Sequence, residues 1–310
     1  KMVSVTQAFS MDLSGQICAD QYQGEFYGGV SSQPDFIRGA AAAAGGKAII
    51  CLASTSDDKE ESRIRSVLQS GEGVTVARSD VHYVVTEYGI AYLFGKNVGE
   101  RAIALIEIAH PDFRDNLVEE AKNLGYVRSD QTLKSRKAYP AEEERTVTLK
   151  DGSEVLLRPT RATDTESLQD LFYNLNPKDI YTRFFTNLKS LSTKNAQHLC
   201  NVSYEEEMAF VAVVGDWEHE TVVGSSCYYV DQSTNLADVA YMIRPEWQGL
   251  GLGTALQQRT TEYAKAHGLR GFSADVLVEN KTMLHVFDKS GCQISKRIVA
   301  GDYEITMLFN

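Results

Sequence analysis

No stretch of this 310-residue sequence approaches the roughly 20 consecutive apolar residues that a membrane-spanning helix needs. The longest candidate, Gly39 to Leu52, is interrupted by Gly45, Gly46 and Lys47 and reads as a buried helix followed by a strand. A charged-then-apolar leader ending in small residues is also missing. Cysteine is sparse: Cys18, Cys51, Cys200, Cys227 and Cys292 are scattered and odd in number, and with the missing leader they point to a reducing cytoplasm. None of the six histidines has metal-ligand spacing, so no metal is expected, and His267 and His285 are expected on helix surfaces. Internal repeats and long low-complexity tracts are absent; Ala40 to Ala44 is short enough to be a tightly packed helix.

Positive charge is in short supply. The formal charge is −11, and the 16 Lys and Arg against 24 Asp and Glu after Pro140 place −8 of it in the second half. Such a surface repels phosphate backbones, which argues against nucleic acid as a partner; it either attracts a cationic partner, such as a lysine-bearing protein or a polyamine, or serves only solubility. What remains, 43% apolar and 24% charged residues, is the balance expected of a soluble globular protein, and the length predicts about two domains.

From Val3 to Tyr126 short apolar strands, Ala48 to Leu52 and Val81 to Thr86, alternate with helical periodicity at Arg101 to Ile108 and Phe113 to Leu124. That alternation predicts an α/β unit with a largely parallel sheet. Tyr126 to Arg145 loses periodicity and crowds Lys134, Arg136 and Lys137 before Pro140, with Glu142, Glu143 and Glu144 after it. The domains are therefore set at 1–140 and 141–310.

In the second domain Thr146 to Pro159 reads as a hairpin turning at Asp151-Gly152. Helices are expected over Thr165 to Leu175 and Pro177 to Phe185, with Asp164 and Asn176 as N-caps. Strands follow at Ala209 to Val214, Val222 to Val230 and Asp238 to Ile243, then a helix from Gly251 to His267, a strand from Gly271 to Val278, a helix from Lys281 to Ser290 and a closing strand from Ile305 to Phe309.

The chemistry is carried by the passage of the Asp238 strand through Gln248-Gly249-Leu250-Gly251-Leu252-Gly253-Thr254 into a helix. Glycines at 249, 251 and 253 let backbone N–H groups point into one concavity, and the helix start adds the positive end of its dipole, which suits a diphosphate. A dinucleotide-binding turn would open a first βαβ unit, whereas this loop comes late, after three antiparallel-looking strands.

Gln248, Gly251 and Gly253 fill each fixed position of the Q/R-x-x-G-x-G/A signature, and with Leu157-Arg158-Pro159 and Val276-Leu277-Val278-Glu279-Asn280 the second half resembles the GNAT acetyltransferases. The resemblance implies a mixed-sheet α/β fold with acetyl-CoA as cosubstrate. It also implies a pyrophosphate on residues 248–254, pantetheine against the main chain of Met242 and Ile243, and a further cofactor contact from Asn280. Tyr181-Thr-Arg183-Phe184-Phe185, Met208-Ala209-Phe210 and Asn280-Lys-Thr-Met283 resemble, more narrowly, the bacterial protein lysine acetyltransferases that modify acyl-CoA synthetases. That likeness implies a lysine-bearing protein acceptor. In those enzymes a glutamate at the start of the strand entering the loop takes the amine proton; Asp238 stands there, with a strand-end aspartate capping the preceding turn as the alternative. The tyrosine with which many GNAT enzymes protonate the leaving thiolate is replaced by Phe287, leaving water or main-chain N–H groups for that task.

The first half carries Gln33-Pro-Asp35-Phe36-Ile-Arg38-Gly39-Ala40, Ser62-Arg63-Ile64, Asp80-Val-His82-Tyr83-Val-Val-Thr86-Glu87-Tyr88-Gly89 and Ala109-His110-Pro111-Asp112-Phe113-Arg114. These strings resemble the C-terminal half of the acetyl-CoA hydrolase and CoA-transferase family, which implies that family's open α/β fold. The likeness places that family's glutamate nucleophile upstream of Lys1, so that the chain reads as part of a longer protein, and it makes Glu87 part of a separate string. The family's G-x-G-G-Q loop reads Gly29-Val30-Ser31-Ser32-Gln33, with serines where the thioester would approach. Three readings follow: an N-acetyltransferase with a degenerate acyl-CoA-transferase-like module, a bifunctional enzyme when longer, or a non-catalytic acyl-CoA sensor.

Overall fold

The computed structural model describes every residue except 23, 30, 31, 132, 134–138, 205, 217, 218, 300 and 310. Val30 and Ser31 of the first half's loop, and Lys134, Arg136 and Lys137, thus lie outside the described residues. The chain divides into two compact units, Lys1–Tyr139 and Pro140–Asn310.

The first unit is built on a four-stranded sheet in the order Val3–Gln7, Lys47–Cys51, Tyr83–Thr86, Gly89–Tyr92, with three parallel strands and an antiparallel last one. Alternation sends Ala48, Ile50, Val84 and Ala91 into a core shared with Ile37, Leu105 and Leu117, while Val5 and Ile90 remain exposed. Helices Val98–Glu107 and Pro111–Asn123 begin earlier than their apolar periodicity. Asn97 accepts from the Glu100 N–H at 3.0 Å and Glu100 returns a bond to the Asn97 N–H at 2.8 Å, a capping box that starts the first helix before its apolar face does. Pro111 does the same for the second, since its missing N–H is harmless in a first turn. Ser32 precedes helix Gln33–Ala42 with φ −76° and makes no side-chain cap.

In the second unit the elements are β1 (Arg145–Thr148), β2 (Glu154–Pro159), α1 (Thr165–Tyr173), α2 (Pro177–Phe184), α3 (Thr193–Cys200), β3 (Glu207–Val214), β4 (Thr221–Asp231) and β5 (Leu236–Ile243). They are followed by α4 (Leu252–Ala266), β6 (Gly271–Leu277), α5 (Lys281–Asp288), β7 (Gln293–Val299) and β8 (Asp302–Leu308). One eight-stranded sheet runs β1-β2-β3-β4-β5-β6-β8-β7, antiparallel everywhere except between β5 and β6. Its two faces are covered differently. Val211, Val213, Val222 and Met242 pack under Leu168 and Leu171 of α1 and Cys200 of α3. On the other face α4 sets Tyr263 edge-on to Phe210 and bonds Thr260 to Ser226 at 2.8 Å, and α5 sets Phe287 against Tyr241.

Three features depart from the sequence expectation. Helix α3 lies where no element was expected, although Ser192 caps it by accepting from the Asn195 N–H at 3.2 Å. Strand β7 forms the sheet edge beyond the closing strand β8; most of its residues are exposed, so it has no buried stripe to read. Asp164 and Asn176 do stand before α1 and α2, but neither side chain caps its helix. Asp164 is buried and takes both ends of the Arg158 guanidinium at 2.8 Å.

Candidate active site

Strands β5 and β6 pair through only three residues, Leu236 with Gly271, Ala237 with Phe272 and Asp238 with Ser273. Beyond that point each stays paired on its outer edge, β5 with β4 as far as Ile243 and β6 with β8 as far as Leu277. The facing edges, 239–243 and 274–277, therefore diverge into a cleft whose walls are main chain, and Asp238 is the last paired residue at its apex.

The glycine loop closes one end of this cleft. Gly249 has φ +76° and Gly251, the N-cap of α4, has φ +100°, a region that side-chain-bearing residues rarely adopt. A Cβ on Gly249 would meet nothing within 4 Å, so the loop is open above that position. Gly253 is closed: a Cβ there would come within 3.3 Å of Ile243 and 3.5 Å of Val286, so this glycine seats α4 between β5 and α5. Leu252 is buried and Thr254 exposed in the first turn of α4, so Leu252 can offer a ligand only its main chain. The free N–H groups of that turn, the positive helix end and the open glycine together fit a diphosphate.

Other expected residues are placed less simply. Met242 buries its side chain in the core under α1, and Ile243 gives its carbonyl to the Gln248 amide at 3.2 Å. The same amide nitrogen reaches Asp179 of α2 at 3.1 Å, so Gln248 ties the loop to β5 and α2. Asn280 caps α5, its Oδ1 accepting from the Met283 N–H at 3.1 Å. Arg244, which the sequence reading passed over, is buried, donates to the Val222 carbonyl at 2.9 Å and pairs with Asp170, fixing the chain where it leaves β5.

Asp238 lies in a cross-strand row with Glu207, Tyr229 and Ser273, all facing the α1 side of the sheet. Its residue surface is exposed, yet the protein around it raises the carboxyl above its ordinary range. Desolvation is the main cause, opposed by Arg183 of α2 and reinforced by Asp275 of β6. Arg183 donates to the Cys227 thiol at 3.6 Å and lines a small cavity with Thr160, Ser225, Cys227, Ala240 and Met242. No sequence pattern joined those residues; only the packing of α2 on β4 and β5 does. On the opposite face Phe287 is buried against Tyr241, whose hydroxyl donates to Gln257 and whose pKa burial drives well above the phenolic value. His267 stacks on Tyr263, and His285 is exposed on α5.

Comparison with known proteins agrees with this geometry. Residues 1–121 match the acetyl-CoA hydrolase/transferase C-terminal domain, and residues 174–292 match the acetyltransferase (GNAT) family. The 4-hydroxybutyrate coenzyme A transferase of Clostridium kluyveri is 49% identical over 121 residues, 39% of this chain and 28% of that protein, so the chain spans little more than a quarter of it. An acetyltransferase of Pseudomonas aeruginosa is 30% identical over 135 residues, 44% of this chain and 73% of that protein. The GNAT domain of S. lividans PAT shares the fold, with a TM-score of 0.51 at 24% identity, covering 55% of this chain and 99% of that domain. The chain belongs to the GNAT acetyltransferase family and carries, ahead of its acetyltransferase unit, an acetyl-CoA hydrolase/transferase C-terminal domain.

Proposed function

We propose that residues 140–310 transfer the acetyl group of acetyl-CoA to an amine, and that the acceptor is a lysine on a protein such as an acyl-CoA synthetase. The observation that carries this reading is the divergence of β5 and β6 immediately beyond Asp238, with the glycine loop at one end of the opening. A thioester laid along the main chain of 239–243 would present its carbonyl carbon near the carboxylate. The amine nitrogen bonds to that carbon and the carbon–sulfur bond breaks. Asp238 accepts the amine proton, directly or through water, and the thiolate takes a proton from solvent because Phe287 offers none. The first unit serves in this reading as an acyl-CoA-binding or regulatory module.

Gly251→Glu tests the loop. The substitution places a side chain at φ +100° and a negative charge beside the diphosphate, and like charges brought together oppose binding by several kcal/mol. The expected result in calorimetry is an acetyl-CoA Kd raised about 100-fold. Gly251→Ala, which shares the backbone strain without the charge, should lose far less. Equal affinity of wild type and a folded Gly251→Glu variant would remove the diphosphate from this loop.

The acceptor is supported by the likeness to protein lysine acetyltransferases and by Glu207, Asp238 and, two residues beyond Ser273, Asp275, which share one face of the sheet. A protein lysine brings remote contacts that fix the reacting geometry, so small amines should be poor substrates. The value of kcat/KM should be highest for an acyl-CoA synthetase, lower for a lysine peptide and lowest for spermidine. It should also fall for the synthetase as salt rises, because exposed charge attraction is screened beyond about 10 Å at 0.1 M. A preference for spermidine would reassign the unit to small-molecule acetylation.

A further inference from the structure

We infer that Lys150, at the turn of the β1–β2 hairpin, is the cation of the acetyl-CoA site and contacts the cosubstrate's pyrophosphate. The inference rests on the acetyl-CoA reading above and adds a residue from an element 99 positions away from the loop it serves.

Lys150 is held on the glycine loop by both its main chain and its side chain. Its N–H donates to the Leu250 carbonyl at 3.1 Å, and its Nζ reaches the Gly249 carbonyl at 3.3 Å. Its stem lies alongside Gly251, with Cε 3.7 Å and Cγ 3.8 Å from where a Cβ would be. The turn that presents it is rigidly specified. Leu149 N–H donates to the Ser153 carbonyl at 2.9 Å, Gly152 N–H to the Leu149 carbonyl at 3.0 Å, and Gly152 takes φ +88°. Asp151, the acidic neighbour, is occupied by the Ser153 N–H at 3.1 Å and hydroxyl at 2.9 Å.

The ammonium itself is underused. It has three donors, is solvent-exposed, and bonds a single neutral carbonyl; among the described residues no carboxylate forms an ion pair with it. A neutral carbonyl is a weak partner for a full positive charge, whereas phosphate oxygens form the shorter and stronger charge-assisted bond. The surroundings make the need explicit. Residues 141–310 carry a net −8, which opposes approach of a polyanion, and loop residues 248–254 hold no charged side chain beside their main-chain dipoles. Lys150 supplies a whole charge where those dipoles converge.

The test compares wild type with Lys150→Met, which keeps the aliphatic stem on Gly251, and Lys150→Arg, which keeps the charge. Each is titrated with acetyl-CoA and with the 3′-dephospho form by calorimetry, after thermal melts confirm folding. Lys150→Met should raise Kd about tenfold for both ligands, with the difference shrinking at high salt, and Lys150→Arg should restore most of the affinity. In turnover the loss should appear in KM for acetyl-CoA while kcat at saturation holds. A loss confined to the ligand bearing the 3′-phosphate would overturn the assignment to pyrophosphate. Unchanged affinity of Lys150→Met while wild type binds would overturn the inference and leave the acetyl-CoA reading standing; failure of wild type to bind would overturn both.

Discussion

Asp238→Asn is expected to lower kcat/KM for acetyl transfer by about 100- to 10,000-fold, the usual value of a positioned general base. Asparagine preserves the shape at the apex of the cleft and cannot accept a proton, so acetyl-CoA binding and thermal stability should stay close to wild type. The pH dependence gives the sharper reading. Desolvation raises the carboxyl, Arg183 of α2 opposes the rise, and Asp275 of β6 adds to it; Cys227 and Tyr229 of β4 and Glu207 of β3 share this face of the sheet. The acidic limb of the kcat/KM profile should therefore lie above the ordinary aspartate value of about 3.9, with activity present above the limb and lost as pH falls through it. Arg183→Gln removes the one opposing charge and should move the limb further up. Activity of Asp238→Asn within about twofold of wild type, a difference below roughly 0.5 kcal/mol in the barrier, would return Asp238 to a structural place at the strand end.

What could be read from the sequence was local, and what could not be read depends on contacts between distant segments. The positive φ values at Gly249 and Gly251 belong to the glycines themselves, and the strand-loop-helix order around them is written in consecutive residues. The fold class followed from alternating and 3.6-residue periodicities for the same reason. Gln248 illustrates the limit. Its type and spacing pointed to the cosubstrate, yet its amide joins Ile243 to Asp179, 69 residues away. Arg183 of α2 meets Cys227 and Ser225 of β4 in one cavity, a fact of packing. Strand β7 was invisible because its residues are mostly exposed and its partner β8 alone defines it. Lys150 lies in a recognisable hairpin turn, and nothing in that turn announces that it rests on a glycine loop 99 residues later.

The second large effect is expected far from the cleft, at the pair that fastens the hairpin to the rest of the acetyltransferase unit. Arg158 of β2 is 2% exposed; its guanidinium gives two bonds to Asp164 at 2.8 Å and two to Glu220 at 2.7 and 3.2 Å, and Asp164 also accepts from the Arg161 N–H at 2.7 Å. The network thus joins the end of β2, the turn into α1 and the residue before β4. Burial alone would raise the Asp164 carboxyl, but Arg158, through charge and hydrogen bonds, with help from Arg161, holds it below the ordinary value. Removing one partner leaves a buried charge without its counterion, which typically costs about 3–5 kcal/mol. Glu220 remains to share Arg158, so Asp164→Asn should lie near the lower end, about 3 kcal/mol in urea unfolding at pH 7. The sign with pH follows from the depressed folded-state pKa: the stabilisation is complete above the unfolded value of about 3.9 and is lost as pH falls through the lower folded-state value. Wild type should therefore approach the stability of Asp164→Asn as the medium is acidified below about pH 4, the variant having no such term to lose. A gap under about 1 kcal/mol at neutral pH, or one that stays constant into acid, would mean that the paired charges barely exceed their desolvation. In that case the packing of Leu168 and Leu171 of α1 in the core against Leu156 of β2, rather than this ion pair, would be what holds the hairpin end in place.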